Sequence, residues 1–221
     1  MYSKFLKRGF DFILSIAALI ILSPFLLAFT IAGAIAMRGN PFFIQKRPGR
    51  IDEQTGQERI INLIKFRSMT NAKDKDGKLL PNKKRLNKYG RLIRALSIDE
   101  LPSLVNILCG DLSIIGPRPL TTTYLPYYTE EERRRHEVRP GLTGLAQCKG
   151  RNNLSWEEKF AYDIEYVDNI SFKMDVSIFF KSIFSVLKRE GIGQGEKQPV
   201  SLHIERAGKF NNEEKSKEVK L

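Results

Sequence analysis

Between Phe12 and Met37 the chain carries no charged residue. As a helix rising ~1.5 Å per residue this stretch is ~39 Å long, more than the ~30 Å hydrocarbon core of a bilayer. A cleaved signal sequence fits poorly, because its apolar region is only ~7–15 residues. Two features argue against a plain span. Pro24 sits mid-segment, where it removes one helical hydrogen bond, and the Ser23 hydroxyl beside it can satisfy the freed carbonyl. Both flanks are basic, with Lys4, Lys7 and Arg8 before the segment and Arg38, Lys46, Arg47 and Arg50 after it. The positive-inside rule puts both ends in the cytoplasm, which a re-entrant helix satisfies and a straight span does not. A kinked span stays open on these residues alone.

The charge of the chain narrows the partners. A formal net charge of +12 over 221 residues points to an anion: a phosphate-bearing substrate, an anionic lipid surface or a nucleic acid. The two cysteines, Cys109 and Cys148, have no metal-binding or redox spacing, and the two histidines, His136 and His203, make no metal cluster. HExxH, GxxxxGK[ST] and GxSxG are absent, which removes zincins, P-loop enzymes and the serine hydrolases built on a nucleophile elbow.

Past the apolar segment, P-F-F-I-Q-K-R-P-G-R and R-I-I-N-L-I-K-F-R-S-M read as strands of a hairpin around a polar loop from Ile51 to Glu58. The D-K-D-G of Asp74–Gly77 lacks the downstream glutamate of a calcium loop and reads as a solvated turn. Lys83–Arg94 is a basic amphipathic helix pattern, suited to a bed of anionic headgroups. Trp156–Val167 and Lys173–Arg189 form two further helix patterns. From about Gly191 the chain is poor in apolar residues and reads as a disordered tail.

The chemistry concentrates in S-I-D-E-L-P-S-L-V-N-I-L-C-G-D-L-S-I-I-G-P-R-P, Ser97–Pro119. Asp99 and Glu100 stand at a helix start. Either Ser97 caps the helix with Glu100 as its capping-box partner, or Pro102 takes the first helical position with both carboxylates ahead of it. The helix dipole favours their ionised forms in both cases. Glutamate in a capping box is a structural commonplace, so the pair alone does not define a site. The cations around it change the balance: Arg94 upstream, Arg118 held between Pro117 and Pro119, Lys65 and Arg67 from the hairpin, and Arg139 and Arg151 in turns. Carboxylate, nucleophile and several cations are the parts phosphoryl transfer needs.

These residues, followed by V-R-P-G-L-T-G-L-A-Q, resemble the bacterial sugar transferases, specifically the minimal monotopic phosphoglycosyl transferases of the PglC type. The N-terminal K-R-x-x-D and the Ser23-Pro24 segment match as well, and the resemblance runs from Phe5 to Arg189. It implies a mainly α fold with a small β-hairpin (α+β): a re-entrant membrane helix over residues 1–38, broken at Ser23-Pro24, a cytosol-facing catalytic domain with interfacial amphipathic helices over 39–190, and a tail over 191–221. The implied reaction moves a sugar 1-phosphate from a UDP-sugar to polyprenyl (undecaprenyl) phosphate and releases UMP, at the cytoplasmic face of the bacterial inner membrane. Asp99 resembles the nucleophile that becomes a phosphoryl-aspartate, and Glu100 the Mg²⁺ ligand. Pro117, Arg118 and Pro119 match the segment that holds the nucleotide, and Lys65, Arg94, Arg151 and Asp175 match positions near the active site. Membrane phospholipid is an implied partner and nucleic acid is not. Cys148-Lys149 and the long hairpin loop around Gly56 depart from the common pattern, which bears on sugar specificity. His136 also matches a family position, and a turn-stabilising role there is favoured over a catalytic one. A membrane-tethered binding protein, and a glycosyltransferase that releases UDP, are the competing classes.

Overall fold

The computed structural model describes residues 2–150, 153–187 and 200–207. A wide helical turn, Tyr2–Leu6, leads into α1, Lys7–Met37. The helix runs unbroken through Pro24. Proline offers no proton to the Ile20 carbonyl four residues back, and the Ser23 hydroxyl supplies it instead at 2.8 Å. Ser23-Pro24 is therefore a repaired gap in the hydrogen-bond ladder, not the expected break in the helix.

The domain that follows is assembled along α1. Strands β1, Phe42–Ile51, and β2, Glu58–Phe66, form the antiparallel hairpin, with an irregular register between Pro48 and Ile51. Asp52 closes its loop by accepting from the backbone N–H groups of Gln54 and Thr55, and Gly56 supplies the positive φ the turn requires. Asp74 likewise accepts from the N–H groups of Asp76 and Lys78, as a self-capped turn does.

The single basic helix expected over Lys83–Arg94 is two helices, α2, Asn82–Arg85, and α3, Lys88–Ala95. Asn87 is the reason: its side chain accepts from the Gly90 N–H and so starts a new helix in mid-pattern. A short 3₁₀ turn, Ile98–Ser103, precedes α4, Leu104–Cys109. Then come β3, Ser113–Ile115, α5, Glu130–Arg133, β4, Gly141–Thr143, α6, Leu145–Lys149, α7, Trp156–Asp168, and α8, Phe172–Leu187. Strands β3 and β4 make a parallel pair that was not foreseen from the sequence. A mainly helical chain with small sheets is the α+β architecture.

All three thirds of α1 touch this one domain. At its start Lys7 pairs with Asp175, Arg8 donates to the carbonyls of Ile107 and Leu108 at the end of α4, and Asp11 accepts from Ser113 Oγ and Ile114 N. In its middle Ala18, Leu19 and Leu22 pack on the core formed by Ile61, Leu63, Leu104, Ile107 and Leu112. Near its end Tyr89 Oη and Asn87 Nδ2 donate to the carbonyls of Phe29 and Ala36. The rest of its surface is apolar and open, with Ile21 at 70% and Ile35 at 74% exposure. Phe43 and Ile44 of β1 and Phe172, Phe180 and Phe184 of α8 are exposed as well. So much uncovered apolar surface marks membrane association.

Residues 200–207 lie inside the segment expected to be a disordered tail, yet they dock on the domain, with Leu202 wholly buried. Val200, Leu202, His203 and Arg206 are among the residues that find partners there, too few of them apolar to lift the apolar content of a polar stretch. The remainder of that segment lies outside the described residues.

Candidate active site

The backbone edge of β2 fixes the site. Asn106 of α4 answers it as a strand would: its amide accepts from Ile64 N at 3.0 Å and donates to the Asn62 carbonyl at 2.9 Å. Ser103 Oγ adds a bond to the Ile64 carbonyl. The turn bearing Asp99 and Glu100 is thereby held against Lys65, the next residue of β2.

Neither helix start expected for the acidic pair forms. Ser97 adopts the left-handed region (φ 55°) and its side chain makes no cap, while Pro102 lies inside the 3₁₀ turn ahead of α4. Left-handed backbone at a non-glycine residue is a local cost of ~1–3 kcal/mol that persists only where surroundings enforce it. Freed from capping, the Glu100 side chain meets two cations. Lys65 Nζ donates to Oε1 at 2.8 Å, and Arg118 forks onto both oxygens, with Nη1 at 3.2 Å from Oε2 and Nη2 on Oε1.

The two carboxylates consequently diverge. Burial pushes Glu100 up, but the Arg118 and Lys65 charges outweigh it and hold the group well below the usual carboxylate range. For Asp99, burial and the Glu100 charge prevail over the pull of Lys65, Arg94 and Arg118, and its pKa rises to about 6. This runs against the expectation that the helix dipole favours ionisation at Asp99, because burial and the neighbouring Glu100 charge act in the opposite sense. No hydrogen bond engages the Asp99 carboxyl among the described residues. Glu100 is thus a fixed, ionised anchor with most of its lone pairs in use, and Asp99 an open carboxylate of raised basicity.

Arg118 is positioned through its backbone. Gly141 N donates to the Pro117 carbonyl at 2.9 Å, and Gly116 N to Thr143 O at 2.9 Å. The chains approach so closely that a Cβ on Gly141 would lie 2.1 Å from Gly116 N, so glycine is required at this crossing. Arg135 Nη2 donates to the Arg118 carbonyl at 2.8 Å while the same guanidinium, 2% exposed, binds Asp163 at 2.6 and 3.0 Å.

A cavity of about 220 Å³ opens beside these groups. Arg47, Lys65, Glu100 and Arg118 line it with charge, and Tyr124 and Trp156 with aromatic faces. Burial and the neighbouring Arg118 bring the Arg47 guanidinium down to about 10, still charged at neutral pH, and its Nε is buried with no partner among the described residues. Cations and aromatic rings thus line one cavity, a chemistry suited to phosphate oxygens and a ring.

The structure therefore brings together Lys65, Glu100, Arg118 and Pro119 on the cavity wall, with Pro117 behind them. Asp99 and Arg94 stand alongside, the latter donating to Ser68 Oγ. Asp175 is elsewhere: it gathers Tyr2, Lys7 and Tyr166 and locks the start of α1 to α7 and α8. Arg151 lies outside the described residues. His136 is buried behind the site, 3.3 Å from Glu58 and edge-on to Tyr128. Arg47, Tyr124, Arg135, Trp156 and Asp163 were missed as site residues. A signal existed for Asp163: it follows Trp156 and Phe160 on one buried face of α7, and a carboxylate there demands a buried cation.

A family model for bacterial sugar transferases matches residues 2–189, and the chain belongs to that family. It is 52% identical over 190 residues to EpsL of Bacillus subtilis (strain 168), an uncharacterized sugar transferase, covering 86% of this chain and 91% of that one. Over 208 residues it is 35% identical to an undecaprenyl-phosphate galactose phosphotransferase of Salmonella typhimurium, covering 86% of this chain but 42% of the relative. A UDP-N-acetylgalactosamine-undecaprenyl-phosphate N-acetylgalactosaminephosphotransferase of Aeromonas hydrophila is 34% identical over 191 residues, 83% of this chain and 44% of its own. The chain thus spans nearly all of one relative and less than half of the other two.

Proposed function

We propose that this chain transfers a sugar 1-phosphate from a UDP-sugar to undecaprenyl phosphate, releasing UMP, at the cytoplasmic face of the bacterial inner membrane. Relatives named for undecaprenyl phosphate and for galactose or N-acetylgalactosamine support the general reaction and leave the sugar open. The observation that carries the reading is the contrast between Glu100, held by Lys65 and Arg118, and Asp99, which no hydrogen bond engages among the described residues; it supports attack by Asp99 and holding by Glu100.

An Asp99 oxygen attacks the sugar-linked phosphorus, the bond from that phosphorus to the UMP oxygen breaks, and UMP leaves. An oxygen of undecaprenyl phosphate then attacks the same phosphorus and frees the Asp99 carboxylate. Dividing one transfer between two bulky anions into two displacements is the value of the covalent step. Arg118, Lys65 and Arg47 neutralise the phosphate oxygens through both. No cluster of three or more His, Cys, Asp or Glu exists among the described residues, but magnesium needs only one or two carboxylates when phosphates complete its shell. Lys65 and Arg118 leave one lone pair of Glu100 Oε2 open, so the donor set fits, with Glu100 as ligand. When bound, the ion would offset diphosphate charge and ease departure of UMP.

The proposed topology is drawn from α1. Anchored at its start, middle and end to one domain, the unbroken helix supports a monotopic arrangement in which its apolar outer face meets the bilayer and both of its ends stay on the domain's side. Cysteines placed at Ser3 and Asn40 in a Cys109→Ser, Cys148→Ser background should both label from the cytoplasmic side, and labelling from opposite sides would defeat this arrangement.

The reaction is tested with Mg²⁺, undecaprenyl phosphate and a panel of UDP-sugars, UDP-linked N-acetylated amino and diamino sugars among them. One donor should release UMP in step with lipid-linked product. Release of UDP instead, or silence with every donor, would sink the proposal.

A further inference from the structure

The family match ends at residue 189, yet residues 200–207 pack against Trp156 and Tyr124, two residues that line the cavity. Leu202, wholly buried, completes an apolar cluster with Trp156 and Phe160, and Tyr124, Tyr127 and Tyr128 pack against it. Polar bonds secure the segment on both sides of that plug. Trp156 Nε1 donates to the Val200 carbonyl at 2.9 Å, and Arg206 forks onto both Glu132 oxygens at 2.6 Å while donating to the Tyr127 carbonyl. The His203 ring lies 5.8 Å from that of Tyr124, which in turn meets Trp156 edge-on at 5.3 Å.

Tyr124 and Trp156 are the aromatic members of the cavity lining. Tyr124 stands on a 3₁₀ turn, Thr122–Tyr127, that has no side-chain cap and buries none of its residues. Trp156 is the first residue of α7. The turn under Tyr124 holds its ring loosely, whereas Trp156 opens a capped helix and stacks on Phe160 at 5.9 Å; residues 200–207 close over both.

We propose that residues 200–207 form a strap that sets donor recognition: by clamping the buried Trp156 behind Tyr124 it builds the aromatic part of the cavity, where a ring of the UDP-sugar, uracil or sugar, stacks on the half-buried Tyr124. The assignment of a UDP-sugar rests on the function proposed above. Leu202 and Arg206 are positioning residues that act through Trp156 and Tyr124, and a segment beyond the family match would let members differ in donor while sharing one reaction.

Trp156 is the only tryptophan of the chain, so its emission reads strap docking without turnover. The experiment compares the full-length membrane protein, a chain ending at residue 199, Leu202→Asp and Leu202→Met. Truncation and Leu202→Asp should red-shift Trp156 emission and raise donor KM about tenfold, the loss of one stacked ring, with kcat and acceptor KM within about twofold. Leu202→Met should behave as wild type. UMP inhibition weakening in parallel would place uracil on the rings; unchanged UMP inhibition with altered preference among donors would place the sugar there. Unchanged emission would show that the segment is not docked. Shifted emission with unchanged donor KM and preference, or a fall of kcat and both KM values together with Tm, would reduce the strap to a structural element. Should wild type turn over no donor, the reaction fails separately, and UMP, UDP and the UDP-sugar panel titrated against Trp156 emission decide the strap: affinity equal for wild type and the truncated chain with every one of them overturns it.

Discussion

Asp99→Asn should lower turnover by at least about 10⁴-fold, the scale on which removal of a nucleophile acts when nothing replaces it. The amide keeps the shape of the carboxylate and cannot form a phosphoryl ester that turns over, so radiolabelled donor should leave no sugar-phosphate on the protein. The same substitution should leave the fold intact and even raise Tm. A carboxylate whose folded pKa is raised from 3.8 to about 6 contributes stability that is fully present below the unfolded value and is lost as pH rises through about 6. Ionised Asp99 therefore works against folding at pH 8. Measured without added metal, Asp99→Asn should melt higher than wild type at pH 8, with the gain gone near pH 4. Glu100→Gln should do the opposite, because it leaves Lys65 and Arg118 facing each other without their shared anion. Near-normal turnover by Asp99→Asn would remove Asp99 from the role of nucleophile.

That contrast between neighbours could not be read from the sequence, where Asp99 and Glu100 are equivalent members of a pair. What was legible depended on local pattern. The apolar run, the Ser23 hydroxyl beside Pro24 and the hairpin each leave a signature within a few residues, and each formed, although the helix was not broken at the proline. The collection of Lys65, Glu100 and Arg118 into one cluster was legible through the family resemblance. The missing parts depend on distant partners. The three-residue strands β3 and β4 carry no periodicity of their own and exist because Gly116 and Gly141 let two backbones touch. In the run Arg133, Arg134, Arg135 the residues are chemically identical, yet Arg133 goes to Glu58, Arg134 to Glu131 and Asp168, and only Arg135 is buried. Asp175 drew attention as a carboxylate in a matching position, whereas its three donors, Tyr2, Lys7 and Tyr166, make it the lock of the amino-terminal helix.

The buried Arg135 should show the second large effect. Asp163→Ala leaves its guanidinium, closed in by Tyr128 and Phe160, with no counter-charge, and stranding one member of a buried pair costs about 3–5 kcal/mol. A domain of this size has about 5–15 kcal/mol of stability in all, so the single variant should melt far below wild type and accumulate poorly. The loss alone would not distinguish a strut from a part of the active site. Replacing both partners does: Arg135→Met with Asp163→Leu removes the charges together, and such swaps are often neutral or stabilising. The double variant should recover most of the lost Tm. It cannot recover the bond from Arg135 Nη2 to the Arg118 carbonyl, and a shift of about 1 Å in a positioned group costs on the order of 10²-fold in rate. A well-folded double variant with turnover down by about that factor is the expected result. Full activity in the double variant would show that the prolines and the Gly141 bond alone are enough to hold Arg118 on Glu100, and that Arg135 serves only the core.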